Sequence, residues 1–450
     1  MEQVTALKKP LNGMRSFFIV WAGQVFSLLG SAMSRFALTI WAYQITGQAT
    51  SLTTMAFCAF GPEVFMSPFA GALVDRWNRK LTMALSDIAT GVSTLAMLVL
   101  LLLGKLEIWH VYIAVAFAGF FTSFQWPAYS ASISLMVPKG QYARASAMIS
   151  LAESGTGILA PIFAASLIGL IGVAGIFGLD ILTLLLALGA LLIARIPQPQ
   201  RSQEGLRAQG TLWKESFYGF KYIFSRPSLL GLQTIFLFGN MFSSIGGILA
   251  SPMILAKTNQ NATILGAADS IGGLGGVLGG ILLSIWGGPK RKVHGVFLGW
   301  ALSSLLGLVM LGAGGNFLFW AGGMFLGSFI SPLINASNQA IWQSKVPPDI
   351  QGKVFSIRRL IAQVVSPISI VVAGPLADKV FEPLMRNANP LYSLGRVFGT
   401  GPGSGMALLI TLMGLLVVLV GLSGYLIPAV RDVEKIIPDH DVQETVVLEN

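Results

Sequence analysis

Gly71-Ala-Leu-Val-Asp75-Arg76-Trp77-Asn78-Arg79-Lys80 sets a charged turn between two long apolar runs. A related stretch returns 209 residues later as Gly280-Ile-Leu-Leu-Ser284-Ile-Trp286-Gly-Gly-Pro-Lys290-Arg291-Lys292. The second copy keeps the glycine, the tryptophan and the basic cluster and lacks the aspartate. Working outward, Gln24-Val-Phe-Ser-Leu-Leu-Gly30 lies over Gln233-Thr-Ile-Phe-Leu-Phe-Gly239 at the same offset, and Val137-Pro138 and Arg144 lie over Val346-Pro347 and Lys353. Three matches at one offset mark a duplicated chain.

Hydrophobic residues make up 54% of the sequence and charged residues 11%, and the mean hydropathy is +0.72. A soluble protein of this size does not tolerate that balance, so the chain reads as an all-α polytopic membrane protein. Apolar runs of roughly 18 to 25 residues number about twelve. They divide into two six-helix pseudo-repeats, residues 1–195 and 228–430. Between them, 196–227 reads as a cytoplasmic linker opened by Pro197 and Pro199, and 431–450 reads as a flexible cytoplasmic tail. In the linker Trp213, Phe217, Phe220 and Phe224 share one helical face, the pattern either of a helix lying on the membrane surface or of a plain apolar approach to the seventh span.

With the amino terminus in the cytoplasm, the basic residues of alternate loops fall on one side. The inner set includes Arg15, Arg76, Arg79, Lys80, Lys139, Arg144, Lys214, Arg226, Lys290, Arg291, Lys292, Lys353 and Arg359; the outer set holds only Lys105, Lys257, Lys379, Arg386 and Arg396. The positive-inside rule then places both termini inside, as in a multi-pass protein of a bacterial inner membrane. The formal charge of +10 is thereby explained by anionic inner-leaflet lipid, and no nucleic-acid partner is expected. A lone Cys58 excludes an internal disulfide. Asn261-Ala-Thr263 matches a glycosylation sequon but such triplets are common by chance.

Ionisable side chains within the spans cost roughly 2.5–3.5 kcal/mol each unless paired or wet, so each is a functional candidate. Glu63 lies midway along the second span, and Arg35 in the first falls within reach of it. The pair reads either as a proton-coupling site or as a static ion pair. Asp180 and Asp269 lie nearer the outer ends of their spans, where each is solvated or paired locally, and Asp87 reads most simply as a partner for the basic turn. The three histidines have no zinc spacing, and no phosphate-binding glycine-lysine loop is present. Nothing converges as an enzyme site, so no cofactor is expected and an ion gradient, with protons as the expected ion, has to drive any uphill movement.

The turn resembles the best-known motif of the major facilitator superfamily, Gly-x-x-x-Asp-Arg-x-Gly-Arg-Arg/Lys, through Gly71, Asp75, Arg76, Arg79 and Lys80, with Asn78 in place of a glycine. Asn tolerates positive φ next best, so the turn is expected to survive that change. Leu28-Leu-Gly-Ser-Ala, Ala70-Gly-Ala-Leu-Val-Asp-Arg-Trp-Asn-Arg and Val137-Pro with Ala143-Arg-Ala are similar to the macrolide-efflux and enterobactin-exporter branch. Ala160-Pro161-Ile-Phe-Ala164-Ala165 stands where antiporters of that superfamily carry Gly-Pro-x-x-Gly-Gly, a departure that weakens the antiporter inference.

The resemblance implies the major facilitator fold and secondary active export. It implies a gate in which Asp75 sits on the amino end of the eleventh span near Ser356, with a second, unequal gate at Gly280, Lys290, Arg291 and Lys292. It also implies a central cavity lined by the first, fourth, seventh and tenth spans. There the chain offers Gln24, Phe26, Phe117, Phe121, Phe124, Gln125, Gln233, Asn240, Phe325 and Asn335, a set suited to an amphipathic molecule such as a macrolide-like drug or secreted metabolite. The open alternatives are a siderophore exporter, a lysolipid or lipid transporter and a non-transporting membrane sensor or scaffold. The expected partners are substrate and membrane lipid, and the expected state is a monomer.

Overall fold

The computed structural model describes residues 13–74, 77–137, 142–194, 196, 220–346, 348–386 and 392–438, and every regular element among them is helical. The first five helices are α1 (Gly13–Thr46), α2 (Ala49–Val74), α3 (Arg79–Leu102), α4 (Ile108–Met136) and α5 (Tyr142–Ile193). Straight, the 52 residues of α5 would reach about 78 Å, more than twice a hydrocarbon core of about 30 Å. The helix instead turns at Gly172, whose φ of 65° and ψ of −178° lie in a region essentially closed to residues with a Cβ. One continuous apolar stretch therefore makes two spans. Ten described helices have the length and hydropathy of a membrane span. Counting α5 twice and adding the 26-residue α2 gives the twelve that the apolar runs indicate.

The chain groups into two compact units, Met1–Leu38 with Cys58–Ser202, and Thr39–Phe57 with Gln203–Asn450. In the first unit Phe17, Val20, Val74, Met83, Phe124, Ile149 and Leu191 form a buried cluster that draws on all five helices. Lipid tails are as apolar as these side chains, so close packing rather than escape from water holds the cluster.

The second unit contains α6 (Pro227–Ile248), α7 (Ala250–Lys257), α8 (Ala262–Trp286) and α9 (Lys292–Ser304), which passes through a π turn at Leu305–Val309 into α10 (Met310–Ala313). There follow α11 (Phe317–Lys345) and α12 (Pro348–Leu376), which enters a second π turn at Ala377–Phe381 before α13 (Glu382–Arg386). Then come α14 (Tyr392–Phe398), α15 (Ser404–Leu426), α16 (Pro428–Arg431) and α17 (Val433–Ile436). α8 lies directly on α11: a Cβ at Gly275 or Gly279 would collide with the backbone carbonyls of Phe325 and Phe329, so the glycine-rich run is a backbone contact surface. Gly155 and Gly157, in contrast, face open space. Asn261 of the sequon is the cap of α8, accepting from the amides of Thr263 and Ile264 at 3.0 and 3.1 Å.

The expectation of a flexible tail from residue 431 needs correction for its first residues. α16 and α17 fold back onto the unit, with Val430 and Val433 fully buried in the same cluster as Leu229, Val293 and Trp342. Two apolar side chains four residues or fewer apart give this short polar segment a stripe to bury. The linker aromatics Trp213 and Phe217 lie outside the described residues, while Phe220 and Phe224 sit at the helical approach to α6, their rings 6.3 Å apart.

Candidate functional site

Of the charged turn, Asp75 and Arg76 lie outside the described residues, and Gly71 is helical within α2. Asn78 does not take up positive φ. Its φ is −68° and its side chain accepts from the Leu81 amide, so it caps α3. An asparagine at this place thus has its own reason: it satisfies one of the orphan donors at a helix start, which a glycine cannot do with a side chain. Lys80 extends its Nζ to the carbonyls of Leu192 and Ala194, both at 2.9 Å, closing the carboxyl end of α5. Trp77 stacks on Phe124 at 5.8 Å. The described part of the turn therefore ties α3, α4 and α5 together.

Among the described residues Asp87 is held by two glutamines and not by the basic side chains of that turn. It lies about 12 Å further along α3, buried, where Gln125 Nε2 donates to one carboxylate oxygen at 2.8 Å and Gln24 Nε2 to the other at 3.2 Å. Gln125 Nε2 also donates to Gln24 Oε1 at 3.2 Å, and Gln125 Oε1 is buried without a partner among the described residues. The two glutamines thus enclose a carboxylate instead of presenting amides to open space. Sequence reading had no signal for this, because the three residues are brought together only by the packing of α1, α3 and α4.

A second ionic cluster lies further along α1. Arg35 is electrostatically coupled to two carboxylates, Asp180 foremost and Glu63 second. Asp180 on the second arm of α5 is buried and accepts from Ser31 Oγ at 3.0 Å and Thr94 Oγ1 at 3.1 Å. The local sequence accounts for the meeting. Gly30 leaves no room for a side chain against Asp180 and Thr183, and that close approach sets Ser31 and Arg35, one turn apart, beside the aspartate. Glu63, expected beside Arg35 from helix-rise arithmetic, is thus the second of two carboxylates that act electrostatically on it. Asp180 was placed near a span end and its third partner was invisible until α5 folded back at Gly172.

The aromatic candidates of α4 form a ladder. Phe117 packs against Phe121 at 4.9 Å, Phe120 against Phe121 at 5.3 Å and Phe120 against Phe124 at 5.6 Å. Phe117 and Phe26 present exposed rings, whereas Phe124 is buried. In the second unit Phe325 stacks on Phe329 at 5.8 Å. Gln233 is buried, and its Nε2 donates to the Arg358 carbonyl at 3.0 Å, joining α6 to α12. Asn240 and Asn335 line a space of about 300 Å³ walled by α6, α9 and α11.

At the second charged turn, whose sequence lacks the aspartate, carboxylates come from the carboxyl-terminal helices. Glu434 accepts from the amides of Lys292 and Val293 at 3.0 and 3.1 Å, capping α9. Its carbonyl accepts from Lys345 Nζ at 2.8 Å. Arg291 pairs with Asp432 at 3.1 Å and donates to the Arg431 carbonyl at 3.0 Å. Arg431, and less strongly Arg291, hold the Asp432 carboxyl below the usual carboxylate range. That stabilisation is complete at neutral pH and is lost as the pH falls through the lowered value. Lys292 Nζ closes on the Gly287 carbonyl at 3.1 Å, and Gly280 faces open space.

A carboxylate seated on a helix amino terminus, as expected for Asp75, occurs among the described residues at Asp378. From the π turn after α12 it accepts from the amides of Ala49 and Thr50 at 3.2 and 2.7 Å and from Thr50 Oγ1 at 2.6 Å, at the start of α2. Gly374, one turn earlier, has no room for a Cβ against Thr50. The second and eleventh spans are thus joined here through the eleventh span's carboxylate.

Residues 20–370 match the family model described as Major Facilitator Superfamily. Among curated proteins, the chain is 25% identical to Macrolide efflux protein A of Streptococcus pyogenes over 382 residues, covering 83% of this chain and 92% of the relative. It is 24% identical to Macrolide efflux protein A of Enterococcus faecalis over 325 residues, covering 70% and 98%. Among solved structures, a bacterial homolog of the human lysosomal transporter Spinster, inward-facing and unoccupied, superposes with a TM-score of 0.68 at 14% identity over 94% of this chain and 98% of that one.

Proposed function

The chain belongs to the major facilitator superfamily, and from that premise we propose that it exports amphipathic small molecules of the macrolide kind by alternating access, driven by the proton gradient, with both termini in the cytoplasm. As a member of that family it is a multi-pass membrane transporter and not an enzyme. Two relatives named for macrolide efflux support the direction and the substrate class.

The observation that carries the coupling is the charge count at Arg35. One guanidinium acts on two carboxylates, Asp180 and Glu63, and a charge inside the span is costly unless paired or wet. Asp180 is already satisfied as an anion by two hydroxyl donors. The proton that balances the cluster is therefore assigned to Glu63, to be released when Glu63 is wetted from the cytoplasmic side. Asp378 serves as the outer counterpart of the Asp75 gate: its hold on the α2 amino end keeps the outer side closed and breaks on outward opening.

A cell assay tests export. A tritiated macrolide is expected to accumulate less in cells producing the chain than in cells without it, and a protonophore is expected to remove the difference. Equal accumulation in both cells overturns export. For the outer gate, Asp378→Asn leaves a neutral acceptor on the helix end and weakens charge-assisted bonds worth about 1.5–3 kcal/mol each. Cysteines placed at outer cavity positions are expected to label several-fold faster with a membrane-impermeant maleimide in that variant. Unchanged labelling removes Asp378 from gating.

A further inference from the structure

The space between α6, α9 and α11 is chemically unlike the aromatic surroundings of a membrane bundle. Its wall carries the amides of Asn240 and Asn335 and the hydroxyls of Ser243, Ser303 and Ser331, with Trp300 at one side and, among the described residues, no titratable group. Polar side chains at this depth are held against other helices or face a polar occupant. Some are partly used within the wall: Ser303 donates to the Gly327 carbonyl at 3.1 Å, and Asn335 Nδ2 to the Ser331 carbonyl at 3.2 Å. Asn335 is nonetheless exposed. Trp300 supplies an independent sign. It is 93% buried, fixed edge-to-face against Phe236 at 5.6 Å, and its Nε1–H, enclosed by protein atoms, has no acceptor among the described residues, a deficit that a small shift of the ring toward an oxygen in the cavity would relieve.

We propose that this cavity is a subsite for a neutral, oxygen-rich ring, a glycosyl group or comparable polyol, carried by the transported molecule. A charged group would find no counter-ion on these walls, and an aliphatic one would leave amides and hydroxyls unmatched. A ring with several hydroxyl and ether oxygens matches hydroxyls that both donate and accept, amides that do the same, and an indole that only donates. The volume of about 300 Å³ stands at the low end of ligand pockets, so it takes one ring and leaves the apolar body of the molecule outside. This deepens the export reading, since it names part of the substrate.

The test compares binding of two neutral probes to the full chain in nanodiscs by equilibrium dialysis: 4-methylumbelliferyl β-D-glucopyranoside and 7-methoxy-4-methylcoumarin, which keeps the ring system and lacks the sugar. The glycoside is expected to bind about tenfold more tightly, and Trp300→Phe, which removes one donor and keeps a ring, is expected to weaken it about fivefold with the coumarin unchanged. Asn240→Leu, at a half-buried wall position, is expected to act in the same direction and covers the case in which Trp300→Phe disturbs folding. Equal affinity for the two probes, or equal losses for both in each variant, overturns the subsite. In parallel, the tritiated-macrolide accumulation assay separates the two readings. Macrolide export without sugar preference in binding defeats the subsite alone, and sugar preference without macrolide export defeats the export reading alone.

Discussion

Glu63→Gln is expected to abolish gradient-driven accumulation and to leave exchange of labelled for unlabelled substrate intact. Glutamine keeps the shape and hydrogen-bonding capacity of a protonated glutamate, so the variant mimics one permanently loaded state of the cluster. Arg35 then has Asp180 alone as its anion, which is a balanced pair. The fold is therefore expected to hold, with expression and melting temperature near those of the parent chain. What is lost is the alternation between loaded and unloaded forms, and with it the energy input of the gradient. Uptake into inverted vesicles under an imposed pH gradient is expected to fall at least tenfold, to the level seen without the gradient. Retained gradient response in Glu63→Gln, with loss of response in Asp87→Asn, would move the proton to the carboxylate held by Gln24 and Gln125.

Removing residues 431–450 is expected to destabilise the second unit strongly. The deletion takes away Val433, fully buried in the core of that unit, and the Glu434 carboxylate on two amides of α9. It also takes away the Asp432 partner of Arg291 and the carbonyl that Lys345 reaches. A buried valine contributes about 1.5–3 kcal/mol and charge-assisted hydrogen bonds about 1.5–3 kcal/mol each, while the exposed Arg291 pair adds little. The sum is a large part of a typical folding stability. A much lower yield of monodisperse protein in detergent and a melting point lower by several degrees are expected. Ending the chain after Pro438 keeps every one of these contacts and is expected to melt as the parent does. Equal melting of all three chains would show that these contacts contribute nothing.

The spans themselves were legible because their signal is local: an apolar run of sufficient length identifies a helix whatever it packs against. Gly172 shows the limit. A glycine in the middle of an apolar stretch reads as one more small residue, and only its φ of 65° shows that the stretch bends there. The candidate site was legible in its chemistry and less so in its partners. Glu63 and Arg35 stood out as charges where charges are costly, but Asp180 joins them across 145 residues of chain through the close approach at Gly30. The partners of Asp87 and Gln233 were not legible for one common reason. A polar residue on a span faces a cavity, a neighbouring helix or a loop with equal ease, and helix rotation, which single-sequence periodicity fixes poorly when the whole surface is apolar, decides among them. The tail failed differently: its short polar helices carry too few apolar residues to register, yet Val430 and Val433 are enough to dock them once α6 and α9 supply a surface.

Coupled movement of protons and substrate is the central claim, and one measurement bears on it directly. The full chain is reconstituted into liposomes holding a trapped pH-sensitive dye, and a macrolide is added outside without any imposed gradient. Substrate entering through the transporter is expected to drive protons out, raising the internal pH in proportion to the amount accumulated, and the signal is expected to vanish in Glu63→Gln while substrate exchange persists. Macrolide entry with no change in internal pH would contradict the account.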